Sequence, residues 1–334
     1  MSWSIASSTF LYAGMPRVSP ALLYRACYGK YAIAAVNVFC MEQILGLFEA
    51  AHRARAPFIV AITPYARDYA SPVMFEHMIR AAAAQYPDAI FATHLDHGND
   101  AHCVDAIASG WYTSVMIDAS HDAFEQNVAR TAKVVELAHQ KDLVVEAELG
   151  VLSGVEDDLV VAAGDASYTN PDQCADFVTQ TGCDSLAIAV GTSHGAYKFS
   201  GDQGLQFHIL EAIQQRLPGF PLVLHGGSNV DVDEVDRINN AGGTLKAGAK
   251  GVAPDEIRRA IPYGICKVNV ATDTRILWTR VHREYFRDQP ENIDLVVPGK
   301  MYIEAYADLI EQKFALFGAR DKAPELQQML LASR

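Results

Sequence analysis

The sequence is short of positive charge, of paired cysteines and of long apolar runs, and each shortage removes a class of function. Lys and Arg number 27 against 40 Asp and Glu, a net charge of −13. Binding to nucleic acid or to an anionic membrane surface relies on basic clusters, so neither partner is expected. An anionic small substrate stays open, because one site can be positive on a negative protein. The six cysteines, Cys27, Cys40, Cys103, Cys174, Cys183 and Cys266, are scattered without a C-x-x-C pair, several of them inside apolar runs. Such usage fits buried free thiols in a reducing cytosol better than a disulfide framework. The first residues, MSWSIASSTFLYAG, carry no basic n-region and no long apolar stretch, so no signal peptide is read. No run approaches the length of a membrane span. A cytoplasmic protein is the expectation.

What is present is a large supply of core. The 334 residues are 50% hydrophobic and 20% charged, enough for one big domain of the α/β-barrel size class. Apolar, β-branched runs recur about every 25 to 45 residues, the spacing of βα units. There are eight: IAAVNV (33–38), FIVAIT (58–63), IFATHLD (90–96), SVMIDA (114–119), LVVEAELG (143–150), SLAIAVG (185–191), PLVLHGG (221–227) and ICKVNVAT (265–272). They are continuous rather than alternating, as in a parallel sheet covered on both faces. Helical patterns lie between them, such as MEQILGLFEAAHRA and NPDQCADFVTQTG. In the latter, Thr169 or Asn170 is positioned to cap a helix with Pro171 at its first position. The pattern predicts a (β/α)8 TIM barrel, with a doubly wound open sheet as runner-up. One domain over 1–334 is expected, with 275–334 a helical C-terminal extension that points to a homodimer or homotetramer.

In a TIM barrel the C-terminal strand ends form the active face. Five of the eight runs end in residues a core does not need: Asp96 and His97, Glu146 and Glu148, His194, His225, and the series Lys267, Asn269 and Asp273. A lone strand-end histidine is usually structural, but three at equivalent ends of three strands suggest a common purpose. Three neutral imidazoles converging on a point suit Zn2+ with one position left for water or substrate, so His97, His194 and His225 are the candidate ligands. Glu148 is a further candidate ligand or the holder of a ligand imidazole. His94, out of phase with His97, reads as structural or supporting. Gly226, Gly227 and Ser228, with Gly195 and Lys198, suggest an anion cradle of backbone N–H groups, a hydroxyl and an ammonium.

Six segments in order, HLDHG (94–98), SVMIDASH (114–121), VEAELGVLSGVED (145–157), GTSHGAYK (191–198), LHGGS (224–228) and KVNVATD (267–273), give a resemblance over nearly the whole chain to the class II, zinc-dependent ketose-bisphosphate aldolases. The resemblance implies reversible aldol cleavage of a phosphorylated ketose to dihydroxyacetone phosphate and an aldehyde. It makes His97, His194 and His225 the zinc ligands, with Glu148 near the metal. Asp96 becomes the acid/base at the C4 hydroxyl, Glu156 the carboxylate that handles the proton at C3, and Asn269 the side chain orienting the enediolate. Gly195, Lys198, Gly227, Ser228 and Thr272 become the phosphate cradle, where a monovalent cation, Na+ or K+, is also accommodated. Asn37 and Thr63 lie toward the second phosphate.

Two departures from the pattern fall where the aldehyde half binds. The chain has Asn269, Val270, Ala271, Thr272, Asp273 where fructose-bisphosphate members usually carry Asn-Ile-Asp-Thr-Asp, and related tagatose-bisphosphate enzymes carry alanine. The segment AITPYARDYA (61–70) also departs from the usual serine-containing pattern. Fructose bisphosphate, tagatose bisphosphate and a ketose 1-phosphate with another anionic end, such as a sulfonate, are all compatible. A zinc hydrolase on the same barrel is the alternative of another class, although its customary His-x-His on the first strand is absent from IAAVNVF. A non-catalytic relative is the third reading, opposed by the intact set of histidines and carboxylates.

Overall fold

Each of the eight apolar runs becomes a parallel strand, and the strands close on themselves. The computed structural model describes residues 17–152, 154–156, 159–161, 167–192, 204–228, 230–245 and 251–332. In chain order the strands are β1 (Ile33–Asn37), β2 (Phe58–Ile62), β3 (Phe91–Gly98), β4 (Ser114–Ile117), β5 (Val144–Leu149), the short β6 (Gly154–Glu156) and β7 (Leu159–Val161), then β8 (Ser185–Ile188), β9 (Leu222–Leu224) and β10 (Ile265–Val270). The barrel runs β1-β10-β9-β8-β5-β4-β3-β2, and β1 pairs in parallel with both β2 and β10. Closure excludes the open-sheet reading. The antiparallel β6–β7 hairpin, which periodicity does not forecast, follows β5.

Helices cover the barrel in sequence: α1 (Pro20–Cys27), α2 (Met41–Ala54), α3 (Pro64–Ala70), α4 (Pro72–Gln85), α5 (Asp100–Ser109), α6 (Phe124–His139), α7 (Pro171–Thr181), α8 (Phe207–Arg216), α9 (Val232–Asn240), α10 (Pro254–Ala260), α11 (Thr272–Asp288), α12 (Val296–Leu316) and α13 (Ala323–Ala332). Asn170 caps α7 and Pro171 takes its first position, as the sequence predicts. Thr169 instead links strands, its hydroxyl donating to Leu149 O and accepting from Ala189 N. Within 275–334, α11 completes the eighth βα unit, and α12 and α13 follow. α12 lies against α2 at Gly46, where an added Cβ would meet Tyr306 Cδ1 at 2.7 Å. Phe48 of α2 packs edge-on against Phe58 and Phe91, with ring centroids 5.1 Å away in each case, and Phe314 of α12 joins the same cluster. All six cysteines are free, and only Cys40 is not fully buried. Among the described residues, no helix is long and apolar enough to cross a membrane.

The barrel interior is where the fold departs from an apolar core. Residues two apart on a strand share its inner face. On three strands these pairs are His94 and Asp96, Glu146 and Glu148, and Lys267 and Asn269. None of the six is more than 4% exposed.

Candidate active site

The floor of the site is a buried charge network. Lys267 Nζ donates to both oxygens of Glu146, at 2.9 and 2.8 Å, and lies 3.1 Å from His94 Nε2. His94 Nδ1 pairs with Ser114 Oγ at 2.8 Å. Burial, helped by the neighbouring ammonium, drops the His94 pKa to about 3, so the ring is neutral and accepts from Lys267. For Glu146, burial raises the pKa, but the Lys267 ammonium and the hydrogen bond from His225 outweigh it and hold the carboxylate ionised. His94 shares one phase of β3 with Asp96 and sits in the floor against Ser114 and Lys267, a place that suits the supporting reading given to it from the sequence.

His97 is the residue out of phase, and a bulge brings it in. Pairing of β3 with β4 runs Leu95 to Val115 and then Gly98 to Ile117, so β3 spends one extra residue. His97 has φ +48°, a left-handed conformation costing roughly 1–2 kcal/mol for a residue with a Cβ. The gain is that two consecutive side chains, Asp96 and His97, face the same point. Ligand-type atoms of Asp96, His97 and His225 all lie within 4.8 Å of one another.

Each imidazole is held from behind by a carboxylate. His97 Nδ1 is 2.8 Å from Asp118 Oδ2, and His225 Nε2 is 2.9 Å from Glu146 Oε1. With each N–H on its carboxylate, His97 Nε2 and His225 Nδ1 present lone pairs, and these two nitrogens face each other at 2.9 Å. At that distance the two nitrogens either share a proton or turn their lone pairs to one common ion, and carboxylate-backed neutral imidazoles are the form that metals take, so the donor set fits a divalent metal ion. The holders are thus Asp118 and Glu146. Glu148 lies instead in a second group, its ligand atom within 4.8 Å of those of His97 and Asp118. Asp118 ends the β4 run as Asp96 ends the β3 run, and that position is its one signal in the sequence; Glu146 and Lys267 stand out there as ionisable residues in apolar runs, without a role.

Asp96 is fully buried and held by two amides, Asn37 Nδ2 at 2.8 Å and Asn269 Nδ2 at 3.1 Å. Burial pushes its pKa up, but the neighbouring His97 imidazole and the Lys267 ammonium, 3.8 Å from Oδ1, outweigh that and keep it below the ordinary carboxylate value. Asn37 is therefore placed on the acid/base candidate itself.

Gly226 and Gly227 turn the chain after β9. Gly226 has φ +63°, and a Cβ on Gly227 would run into Val268 Cγ1. The turn delivers Ser228, whose Oγ accepts from Ala271 N at 3.3 Å and so joins the two loops of the expected phosphate cradle. Ala271 is the N-cap of α11 with no side-chain cap bond, and Thr272 begins the helix. The first-turn N–H groups and positive dipole end of α11 thus lie beside Ser228. Thr63 caps α3 with its side chain. Glu156 belongs to β6, but its side chain, and all of His194, Gly195 and Lys198, lie outside the described residues.

A closed barrel with carboxylate-backed histidines and a buried ionised aspartate at its mouth defines a TIM-barrel enzyme. The family model described as fructose-bisphosphate aldolase class-II matches residues 19–322. Fructose-bisphosphate aldolase of Treponema pallidum (strain Nichols) is 40% identical over 293 residues, covering 82% of this chain and 87% of that protein. The GatY subunit of D-tagatose-1,6-bisphosphate aldolase from Klebsiella oxytoca is 40% identical over 274 residues, with 82% and 87% covered. Among solved structures, the YdjI aldolase from Escherichia coli K12 superposes with a TM-score of 0.72 at 28% identity, covering 92% of this chain and 99% of that one. The chain belongs to the class-II fructose-bisphosphate aldolase family, and the hydrolase and non-catalytic readings are set aside. It is a class II aldolase, a carbon–carbon lyase.

Proposed function

We propose that the enzyme cleaves a ketose 1,6-bisphosphate reversibly to dihydroxyacetone phosphate and an aldehyde phosphate, with Zn2+ held by His97, His194 and His225. The observation that carries this is the convergence of His97, His225 and the ionised Asp96 at one barrel mouth. Zinc, when bound, supplies Lewis-acid stabilisation of the negative charge that cleavage leaves on the dihydroxyacetone phosphate half.

The chain's own residues do the rest. Asp96, ionised at rest and fixed by Asn37 and Asn269, accepts the proton of the C4 hydroxyl as the C3–C4 bond breaks. The bonding pair passes to C3, the C4 oxygen becomes the aldehyde carbonyl, and Glu156 delivers a proton to C3 of the enediolate. Asn269 orients that half, and Glu148 stands near the metal as an auxiliary ligand. Gly226, Gly227, Ser228 and Thr272, with Gly195 and Lys198, cradle its phosphate, a place also suited to Na+ or K+.

Ala271 and Thr63 bear on the aldehyde half. Alanine at 271 supports tagatose bisphosphate beside fructose bisphosphate, and the AITPYARDYA segment supports a second reading, a ketose 1-phosphate ending in another anion such as a sulfonate. A panel of these ketoses, assayed for dihydroxyacetone phosphate before and after chelation and zinc readdition, tests the proposal. Zinc-restored cleavage of at least one ketose bisphosphate is expected. Cleavage that survives complete zinc removal would overturn the role of the metal, and absence of dihydroxyacetone phosphate from every substrate would overturn the reaction.

A further inference from the structure

Three sets of metal-type donors occur among the described residues: Asp96 with His97 and His225, His97 with Asp118 and Glu148, and His94 with Asp96 and Glu146. The last already contains a cation. Lys267 Nζ lies 2.8 Å from Glu146 Oε2, 3.1 Å from His94 Nε2 and 3.8 Å from Asp96 Oδ1, and the lysine is 0% exposed. It stands two residues before Asn269 on the same face of β10, one layer deeper in the barrel. Its ammonium therefore lies behind the site, as an ion pair of Asp96 and as the hydrogen-bond partner of Glu146 and His94.

We infer that Lys267 is a positioning residue, a built-in cation that fixes Glu146 and through it the ring of His225. The geometry allows Glu146 little freedom. One oxygen, Oε1, accepts from Lys267 and from His225 Nε2 together, while Oε2 is pinned by the same ammonium. A carboxylate held at both oxygens cannot rotate without breaking a buried charged hydrogen bond. It therefore holds the His225 N–H in one direction and turns Nδ1 toward His97. Lys267 also fills the deeper donor set, which leaves the mouth as the place for a divalent ion. The inference rests on the zinc reading above, and it concerns residues that do not touch the substrate.

Removing the ammonium alone would leave Glu146 charged and buried without its cation, which is far costlier than removing both charges. Lys267→Met keeps the length of the side chain and removes the charge. Lys267→Met with Glu146→Gln removes both charges and keeps an amide oxygen for the His225 N–H. The experiment is zinc affinity by chelator competition on wild type and both variants, well below each melting temperature, with the Co2+ absorption spectrum as a second readout. Lys267→Met is expected to bind zinc about 10–100-fold more weakly, the range for loss of an outer-shell partner. The double variant is expected to recover to within about threefold of wild type, with a wild-type Co2+ spectrum. A lysine that only stabilises the fold would lower the melting temperature and leave the zinc constant unchanged. Overturning results are a Lys267→Met constant equal to wild type, or a double variant as weak as the single one. If the single variant does not fold, the double variant decides alone, and zinc binding more than about tenfold weaker than wild type overturns the inference. Failure of wild-type chain to bind zinc at all would instead overturn the proposed function, so the two failures are distinct.

Discussion

The barrel interior and the outer helical layer use the same charged residue types to opposite ends. On the outside, Arg53 of α2 pairs with Glu49, Glu304 and Asp308 and ties α2 to α12, while Arg130 pairs with Asp100 and Asp122. These groups are between 28% and 64% exposed, so water and salt screen them and each pair is worth about 0–1 kcal/mol. Inside, Lys267, Glu146, His94 and Asp96 are at most 1% exposed. There desolvation is severe and every charge answers to a neighbour. The outer network is replaceable fastening. The inner one has a poor return in stability, and its geometry makes sense only when directed at the mouth above it.

The sharpest way to break this contrast is to change one inner charge without changing shape. Asp96→Asn keeps the volume and one acceptor oxygen, enough for the shorter hydrogen bond from Asn37, but cannot take a proton. We expect zinc retention with kcat lowered about 10²–10⁴-fold, the usual contribution of a positioned acid/base. Normal turnover in that variant would remove Asp96 from the chemistry. Asp118→Ala should act next most strongly. It frees the His97 ring from its carboxylate at 2.8 Å, and zinc affinity should fall about 10–100-fold while kcat at saturating zinc falls much less. An unchanged zinc constant would mean that the bulge alone orients His97.

A smaller effect is expected at the rim. Ala271→Asp places a carboxylate at the N-cap of α11, beside Ser228. One charge-assisted hydrogen bond to the sugar is worth about 1.5–3 kcal/mol, so the kcat/KM ratio of fructose to tagatose bisphosphate should rise about tenfold or more. Equal ratios in the two proteins would remove Ala271 as a selector of substrate.

Much of this contrast is written in the sequence, but not its closing contacts. Eight apolar runs at βα spacing suffice for the barrel, because parallel strands buried on both faces have to be continuously apolar. The histidines and carboxylates at the run ends stand out for the same reason, since a core does not need them. The bulge does not stand out: nothing local marks His97 for φ +48°, and strict alternation turns His97 away from the face that Asp96 shares with His94. The holders were illegible for another reason. Asp118 is 21 residues from His97, and Lys267 is 121 from Glu146. Such pairings exist only once the barrel is closed and its register set. Glu146 and Lys267 alternate correctly for the inner face, yet alternation says nothing about which inner residue meets which.

Two histidines give the finest test of inside against outside, because their pKa values move in opposite directions. His94 is pulled down to about 3, first by burial and then by Lys267. Its stabilising contribution is complete above the unfolded value near 6.5 and is lost as pH falls below it, because the unfolded chain then binds a proton that the folded chain refuses. His139 of α6 is raised, first by its hydrogen bond to Asp184 at 2.9 Å. Its contribution is complete below the unfolded value and is lost as pH rises through the folded one. Denaturant stability of wild type, His94→Gln and His139→Gln at about pH 8.5 and 5.5 separates the two signs. Between those values wild type should lose about 1.4 kcal/mol more than His94→Gln, one pH unit of linkage below the unfolded pKa. His139→Gln should differ the other way, losing slightly more than wild type on acidification. The His139 side chain is 44% exposed, so screening holds that difference below about 0.5 kcal/mol. Parallel pH curves for wild type and His94→Gln would mean that the barrel floor admits a proton as freely as the surface, and the distinction between the two networks would collapse.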